Sequence, residues 1–304
     1  MRKPSALQYG DTVMIIAPAS PADRGFINRM VMKLEKLGLS VRIGKSVQKK
    51  RGYLAGTDSM RLQDVHEAFC DPQVKAVFAA RGGYGSARFL PALDFSIIRQ
   101  NPKIFWGYSD ITALHTAFIQ YAQLVTFHGP MMEEGGRDEE ESVFPSLHQL
   151  FSPTTIQFQA AETNTYPSFS YSFTAPIIGG NVTVLTSTMG TPYEIDTTGK
   201  ILLLEDVGEE PYRLDRMFNQ LRLAGKFERC AGVIAADFHN CNPSARASSL
   251  TIAEIIHDHI VPYNIPILSG FPIGHCKPNE GIPLGVQVTM DGIGRTISFE
   301  SGVQ

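Results

Sequence analysis

Apolar residues come in short β-rich runs separated by stretches at helical spacing, and the two patterns alternate through the first half of the chain. Thr12 to Ala17 reads as a strand ended by Pro18, and Phe26 to Leu37 as a helix closed by Gly38. Ser40 to Ile43, Val74 to Ala80, Ile104 to Trp106 and Leu124 to Phe127 predict further strands. Arg61 to Phe69, Ser86 to Leu93 and Ile111 to Tyr121 predict the intervening helices. Such alternation implies a doubly wound parallel sheet covered by helices, with its site at the carboxyl ends of strands. The pattern lapses over the acidic stretch Glu133 to Glu141 and the polar, proline-containing Thr163 to Pro176, where a linker is expected. It restarts with Asn181 to Met189. Lys200 to Val207, Gly232 to Asp237 and Ile267-Leu268 then read as strands, Tyr212 to Ala224 and Leu250 to Ile260 as helices. Val286 to Met290 and Arg295 to Phe299 flank a turn and predict a terminal hairpin. The expectation is an α/β protein of two domains, 1-165 and 166-304.

Composition narrows the function classes. The 304 residues are 43% hydrophobic and 19% charged, which suits a globular protein large enough for two cores. A net charge of −3 and the lack of a basic stripe argue against nucleic acid as a partner. No apolar run approaches the roughly 18 residues of a membrane span, and Val13 to Ala17 is too short for a signal segment. Four dispersed cysteines, Cys70, Cys230, Cys241 and Cys276, form no disulfide framework by their spacing. A cytoplasmic protein is expected.

The chemistry concentrates at strand ends. In Ile104-Phe105-Trp106-Gly107-Tyr108-Ser109-Asp110-Ile111, a buried strand turns at Gly107 and an apolar helix follows. Ser109 would stand at the end of the sheet beside a helix N-terminus, where backbone N–H groups stabilise an oxyanion. The turn resembles a nucleophile elbow but has no second glycine, and a serine in such a turn is also a common N-cap. Arg81-Gly82-Gly83-Tyr84-Gly85 follows another strand. Arg88 breaks the dinucleotide fingerprint and no Walker lysine is present, so a phosphate cradle is disfavoured. Two readings remain: a plain glycine turn, or a donor loop in which the Gly83 N–H joins that of Asp110 as an oxyanion hole. Among eight histidines, His128 at a strand end and His275 in a Gly/Pro-punctuated loop are equal candidates for the base. Glu205 closes the apolar run Leu202-Leu203-Leu204, where an unpaired carboxylate is costly, so it either orients a histidine or reaches solvent. No H-E-x-x-H or Cys/His cluster appears, so neither a metal nor a cofactor is expected.

Taken in order, these segments resemble the LD-carboxypeptidase family of serine peptidases, which includes the microcin-immunity hydrolases. Arg81-Gly82-Gly83-Tyr84-Gly85, Gly107-Tyr108-Ser109-Asp110, His128-Gly129-Pro130, Gly179-Gly180-Asn181, Leu204-Glu205-Asp206 and Gly274-His275 carry the likeness over most of the chain. The resemblance implies a flavodoxin-like N-terminal domain, a C-terminal α/β domain and a triad assembled where they meet. Ser109 would be the nucleophile, His275 the base in preference to His128, and Glu205 its orienting acid. It further implies a cytoplasmic homodimer that releases a terminal D-amino acid, typically D-Ala, from murein tetrapeptides. Arg81, beside the donor loop, is the candidate anchor for the terminal carboxylate. Hydrolysis of peptidyl- or aminoacyl-nucleotides and non-catalytic binding of cell-wall peptides are the alternatives. The first needs an aromatic platform, and Trp106, the one tryptophan, falls inside a predicted strand.

Overall fold

A computed structural model describes residues 1–131, 146–160, 166–243 and 248–304. Among them are thirteen strands. They are β1 (Thr12–Ile16), β2 (Ser40–Ile43), β3 (Val74–Ala79), β4 (Ile104–Gly107), β5 (Thr126–His128), β6 (Ile156–Gln159) and β7 (Ser172–Asn181), then β8 (Ile201–Val207), β9 (Gly232–His239), β10 (Ile267–Ser269), β11 (Ile282–Leu284), β12 (Gln287–Asp291) and β13 (Thr296–Phe299). The described residues divide into two compact units. The first comprises Met1–Thr154, Glu280–Gly285 and Ser301–Gln304; the second comprises Thr155–Asn279 and Val286–Glu300.

In the first unit the sheet order is β11-β5-β4-β3-β1-β2. β1 to β5 are mutually parallel and β11 joins β5 antiparallel. The succession 2-1-3-4-5 is the flavodoxin-like order, whose direction reverses at β1 and β3. Strands buried on both faces explain the unbroken apolar runs that mark them in sequence. Val13, Ile15, Phe78, Trp106 and Phe127 form the centre of this core, and Trp106 is only 1% exposed. Its indole N–H donates to the Pro130 carbonyl, 2.9 Å away, and its ring stacks on Phe127. Helices Arg24–Lys36 and Asp58–Cys70 are N-capped by Asp23 and Thr57.

Two helical segments differ in kind from the sequence expectation. Ser86–Ala92 is a 3-10 helix containing Pro91, which lacks the N–H that an α-helix would use there. The stretch expected from Ile111 to Tyr121 opens as a 3-10 turn at Ser109–Ile111, continues as α-helix over Thr112–Ala117 and ends in a π turn, Phe118–Ala122.

In the second unit the order is β10-β9-β8-β7-β12-β13-β6. β7 to β10 are parallel, while β12, β13 and β6 run antiparallel, with β12 and β13 forming the expected hairpin. The expected linker over Thr163 to Pro176 is wrong at its later end, since Ser172 begins the ten-residue β7. The start of β7 is half-exposed, so its polar residues hide it. Thr174 and Thr289 share a hydroxyl hydrogen bond of 2.8 Å across the pair. The acidic stretch Glu133 to Glu141 lies outside the described residues. Asn181–Met189 contains the short helix Val182–Ser187, whose N-cap is Asn181.

Candidate active site

The turn after β4 places Ser109 at φ 63°, in the left-handed region that non-glycine residues rarely occupy. That conformation costs on the order of 1–3 kcal/mol, so the surroundings must impose it. They do so at three points. Tyr108 is buried edge-on against His128, with ring centroids 5.7 Å apart. The His115 Nε2–H donates to the Gly107 carbonyl across 2.8 Å. The Asp110 carboxylate accepts from the Ser86 backbone N–H at 2.8 Å, and its carbonyl accepts from the Ser86 hydroxyl at 2.6 Å. Asp110 is therefore a brace for the turn as well as a backbone donor candidate.

Gly82 passes directly over this turn. A Cβ on it would stand 3.0 Å from the Ser109 Oγ and 3.4 Å from the Asp110 nitrogen, in the space an attacked carbonyl would need. Gly83, at φ 91°, lies so close to Ser20 that a side chain would collide with its hydroxyl. The Ser20 N–H donates to the Gly82 carbonyl, and its hydroxyl accepts from the Tyr84 N–H, both at 3.1 Å. Arg88, which breaks the dinucleotide fingerprint, forms a forked pair with Asp58 at 2.9–3.2 Å. Arg81 is exposed and donates to the Pro21 carbonyl at 3.1 Å.

Arg61 escaped the sequence reading. It is fully buried and donates to the carbonyls of Pro18 and Gly85 at 2.6 and 2.7 Å, tying the loop after β1 to the loop after β3. Burial lowers its pKa, and the pairing with Asp58 opposes that. An arginine at helical spacing carries no mark of this role.

His115, buried at this turn, is strongly perturbed. Burial pushes it down to about 4, against the pull of its bond to the Gly107 carbonyl. The unfolded chain takes up that proton near pH 6.5, so this contribution to stability is intact above 6.5 and is lost as pH falls toward 4. Calorimetric midpoints should decline over that interval, and more gently in His115→Gln. Equal slopes in the two proteins would contradict a neutral buried His115.

The second unit carries Glu205 and His275. β8 has a register shift against β9 between Leu204 and Asp206, and Glu205 occupies it. Such a bulge re-aims side chains that a regular strand would send to opposite faces. The His275 Nδ1 lies 2.7 Å from the Glu205 Oε2, with side-chain exposures of 7% and 0%. Gly274, at φ 126°, makes this approach possible, since a Cβ there would press on Glu205 at 3.0–3.3 Å. Burial raises the Glu205 pKa, while His275 and Asn181 pull it down and the neighbouring Asp206 raises it further.

Asp206 has its own partners. It accepts from the Thr183 N–H and hydroxyl at 2.8 and 2.9 Å, from the Asn181 amide at 3.1 Å and from the Val207 N–H at 2.8 Å. Asp237 is raised by burial, and the charges of His239 and His275 oppose that shift. Its N–H donates to the Ile273 carbonyl at 3.1 Å, fastening the His275 loop to β9.

The first unit thus gathers Ser109, Asp110, Gly83 and Arg81 around one turn and one loop, and the second joins Glu205 to His275. His128, the other candidate base, is fully buried at the end of β5, opposite Gly107 in register. Among the described residues no group of three His, Cys, Asp or Glu side chains could hold a metal ion. No described helix is long and apolar enough to cross a membrane.

Comparison with known proteins gives a consistent answer. Residues 13–129 match the LD-carboxypeptidase N-terminal domain and residues 174–290 the LD-carboxypeptidase C-terminal domain. A probable murein peptide carboxypeptidase of Bacillus subtilis is 46% identical over 303 residues, covering 99% of this chain and 95% of that protein. The crystal structure of a muramoyltetrapeptide carboxypeptidase from Oxalobacter formigenes superposes with a TM-score of 0.83 at 27% identity, covering 95% of this chain and 97% of that one. The microcin C7 self-immunity protein MccF in complex with aspartyl sulfamoyl adenosine superposes at 0.88 with 25% identity, each chain fully covered. Both halves of the chain, and nearly its whole length, are accounted for in this way: the protein belongs to the LD-carboxypeptidase family.

Proposed function

We propose that the protein is a serine carboxypeptidase that hydrolyses the L,D-peptide bond of murein tetrapeptides and releases the terminal D-Ala. The bond between Glu205 and His275, at 2.7 Å beneath Gly274, carries this reading. An ionised carboxylate only accepts, so His275 presents Nδ1–H to Glu205 and leaves Nε2 as an acceptor. On this reading Nε2 takes the Ser109 hydroxyl proton as Oγ attacks the scissile carbonyl. The Gly83 and Asp110 N–H groups receive the oxyanion. His275 then returns the proton to the nitrogen of D-Ala, which departs. Water, deprotonated by the same imidazole, releases the acyl group from Ser109.

Arg81 would meet the terminal carboxylate as a cationic anchor. The enzyme would be cytoplasmic and would act as a homodimer.

The similarity to MccF supports a second reading, hydrolysis of aminoacyl-nucleotides. Against it stands the burial of Trp106, whose ring is enclosed by Phe78, Phe127, Gly129 and Gly281 and cannot serve as a platform for a base.

Serine activation has its own test. A fluorophosphonate probe should label Ser109, identified by peptide mass spectrometry, and His275→Ala should slow labelling by two orders of magnitude or more, as about 10²–10⁴-fold is typical of general-base assistance. Unchanged labelling in His275→Ala, with loss in His128→Ala, would transfer the base role to His128.

A further inference from the structure

One carboxylate near His275 has no part in the triad. Between the pairs Leu204–Ala235 and Asp206–Phe238, β8 advances by two residues and β9 by three, so Ala236 and Asp237 both stand opposite Glu205. The extra residue of such a bulge re-aims the side chains around it. In a regular strand Asp237 would share the face of Ala235; here it shifts to the face of Glu205, with His239 two residues on. The backbone fixes it near the base, because its N–H donates to the carbonyl of Ile273, two residues before His275. Its Oδ2 is shut off from solvent and accepts no hydrogen bond among the described residues; the Nδ1 of His239, at 3.7 Å, is too distant for one. A buried carboxylate oxygen in that condition costs stability, so packing does not account for it. Among the described residues, the charges that act on it are those of His239, on its own strand, and His275, on the loop after β10. The Cys241 thiol senses it in turn, and Glu205 and Asp206 stand across the sheet.

We propose that Asp237 is a positioning residue acting through His275: its charge steadies the imidazolium that forms when Nε2 takes the Ser109 proton. This rests on the reading of Ser109, Glu205 and His275 given above. Glu205 meets Nδ1 by a hydrogen bond, and so fixes the tautomer as well as countering the charge. Asp237 contributes its field alone. The interaction between two titrating groups is mutual, so the pull of His275 on the Asp237 carboxyl is matched by an equal pull of Asp237 on the imidazole proton. A base held by two carboxylates is stronger than one held by Glu205 alone, and the efficiency of a general base follows its basicity. No proton passes to Asp237. The one taken from Ser109 stays on Nε2 until the leaving nitrogen receives it.

The rate at which a fluorophosphonate probe labels Ser109, followed across the range in which histidines titrate, tests this without any murein substrate. In wild type the rate should rise with pH through one limb that reports the base. In Asp237→Asn the limb should move down by roughly 1 pH unit and the plateau rate should fall about three- to tenfold, so the two proteins converge at acid pH. Asp237→Glu, which keeps the charge, should stay close to wild type. The thermal midpoint of Asp237→Asn at pH 7 should be no lower than that of wild type, because burial disfavours this charge and the backbone tether to Ile273 remains. A limb that stays in place in Asp237→Asn would overturn the inference and leave the triad standing. An equal loss at every pH in both variants would also overturn it, since that marks a structural role. A wild-type protein whose Ser109 takes up no probe would count against the serine mechanism itself.

Discussion

Ser109→Ala is expected to lower D-Ala release by about 10⁴- to 10⁶-fold while leaving the thermal midpoint close to that of wild type. The turn is imposed by Tyr108, by His115 on the Gly107 carbonyl and by Asp110 on Ser86, and none of these contacts involves the Ser109 hydroxyl. Alanine keeps the Cβ and hence the same cost of a positive φ. Glycine does not, so Ser109→Gly should be equally inactive but melt higher, the relief being about 1–2 kcal/mol. Kinetics and calorimetry on the three proteins would show this. Substantial turnover in Ser109→Ala would remove the serine mechanism, and a midpoint for Ser109→Gly below that of wild type would remove the account of strain.

Glu205→Gln should separate activity from stability. Burial raises the pKa of this carboxylate, which means that the fold disfavours its charged form. The resulting cost is absent below the ordinary carboxylate pKa and grows as pH rises toward the elevated folded value, so it is present at neutral pH even with His275 bonded to the carboxylate. Glutamine fills the same volume without the charge, and its carbonyl can still accept from His275. The melting temperature at pH 7 should therefore equal or exceed that of wild type. Activity should not survive. An amide can turn its NH₂ toward Nδ1, select the wrong tautomer and leave an imidazolium without a counter-charge; the comparable change in a Ser-His-Asp triad costs about 10⁴-fold in kcat. Adding Ser109→Ala to Glu205→Gln should lower activity little beyond either change alone, because on the proposed mechanism the groups would act as a unit. A marked loss of melting temperature with kcat retained would invert the argument.

How much of this was legible in the chain depends on the kind of signal. Strands buried on both faces announce themselves as apolar runs, so β1, β3, β4 and β8 fall within a residue of where the pattern puts them. β7 did not, because its first residues are polar, half-exposed and interrupted by Pro176. The glycines were visible as turn formers, but their closest contacts were not. That Gly82 faces Ser109 and Gly274 faces Glu205 depends on residues distant in sequence. Nothing in Leu204-Glu205-Asp206 marks the bulge where β8 meets β9, or shows that of two adjacent acids one meets His275 and the other is held by Thr183 and Asn181. His128, at a strand end, and His275, in a Gly/Pro-punctuated loop, are equal candidates by sequence position. Their environments differ only in three dimensions: one is enclosed beside Tyr108 and the other is bonded to a carboxylate. Arg61 reads as one more helical cation, although its guanidinium sits at the centre of the loop frame.

The proposed function comes down to one reaction. Purified protein is incubated with a free murein tetrapeptide, the same peptide ending in L-Ala, the amidated peptide and an aminoacyl-nucleotide, and products are followed by mass spectrometry. Rapid release of D-Ala from the free tetrapeptide is predicted, with negligible cleavage of the L-Ala and amidated forms. Amidation removes the charge that the exposed Arg81 would pair with once bound substrate covers it, and truncating one partner of a charge pair enclosed in a complex costs roughly 2–5 kcal/mol. Hydrolysis of the aminoacyl-nucleotide without any D-Ala release would contradict the carboxypeptidase reading.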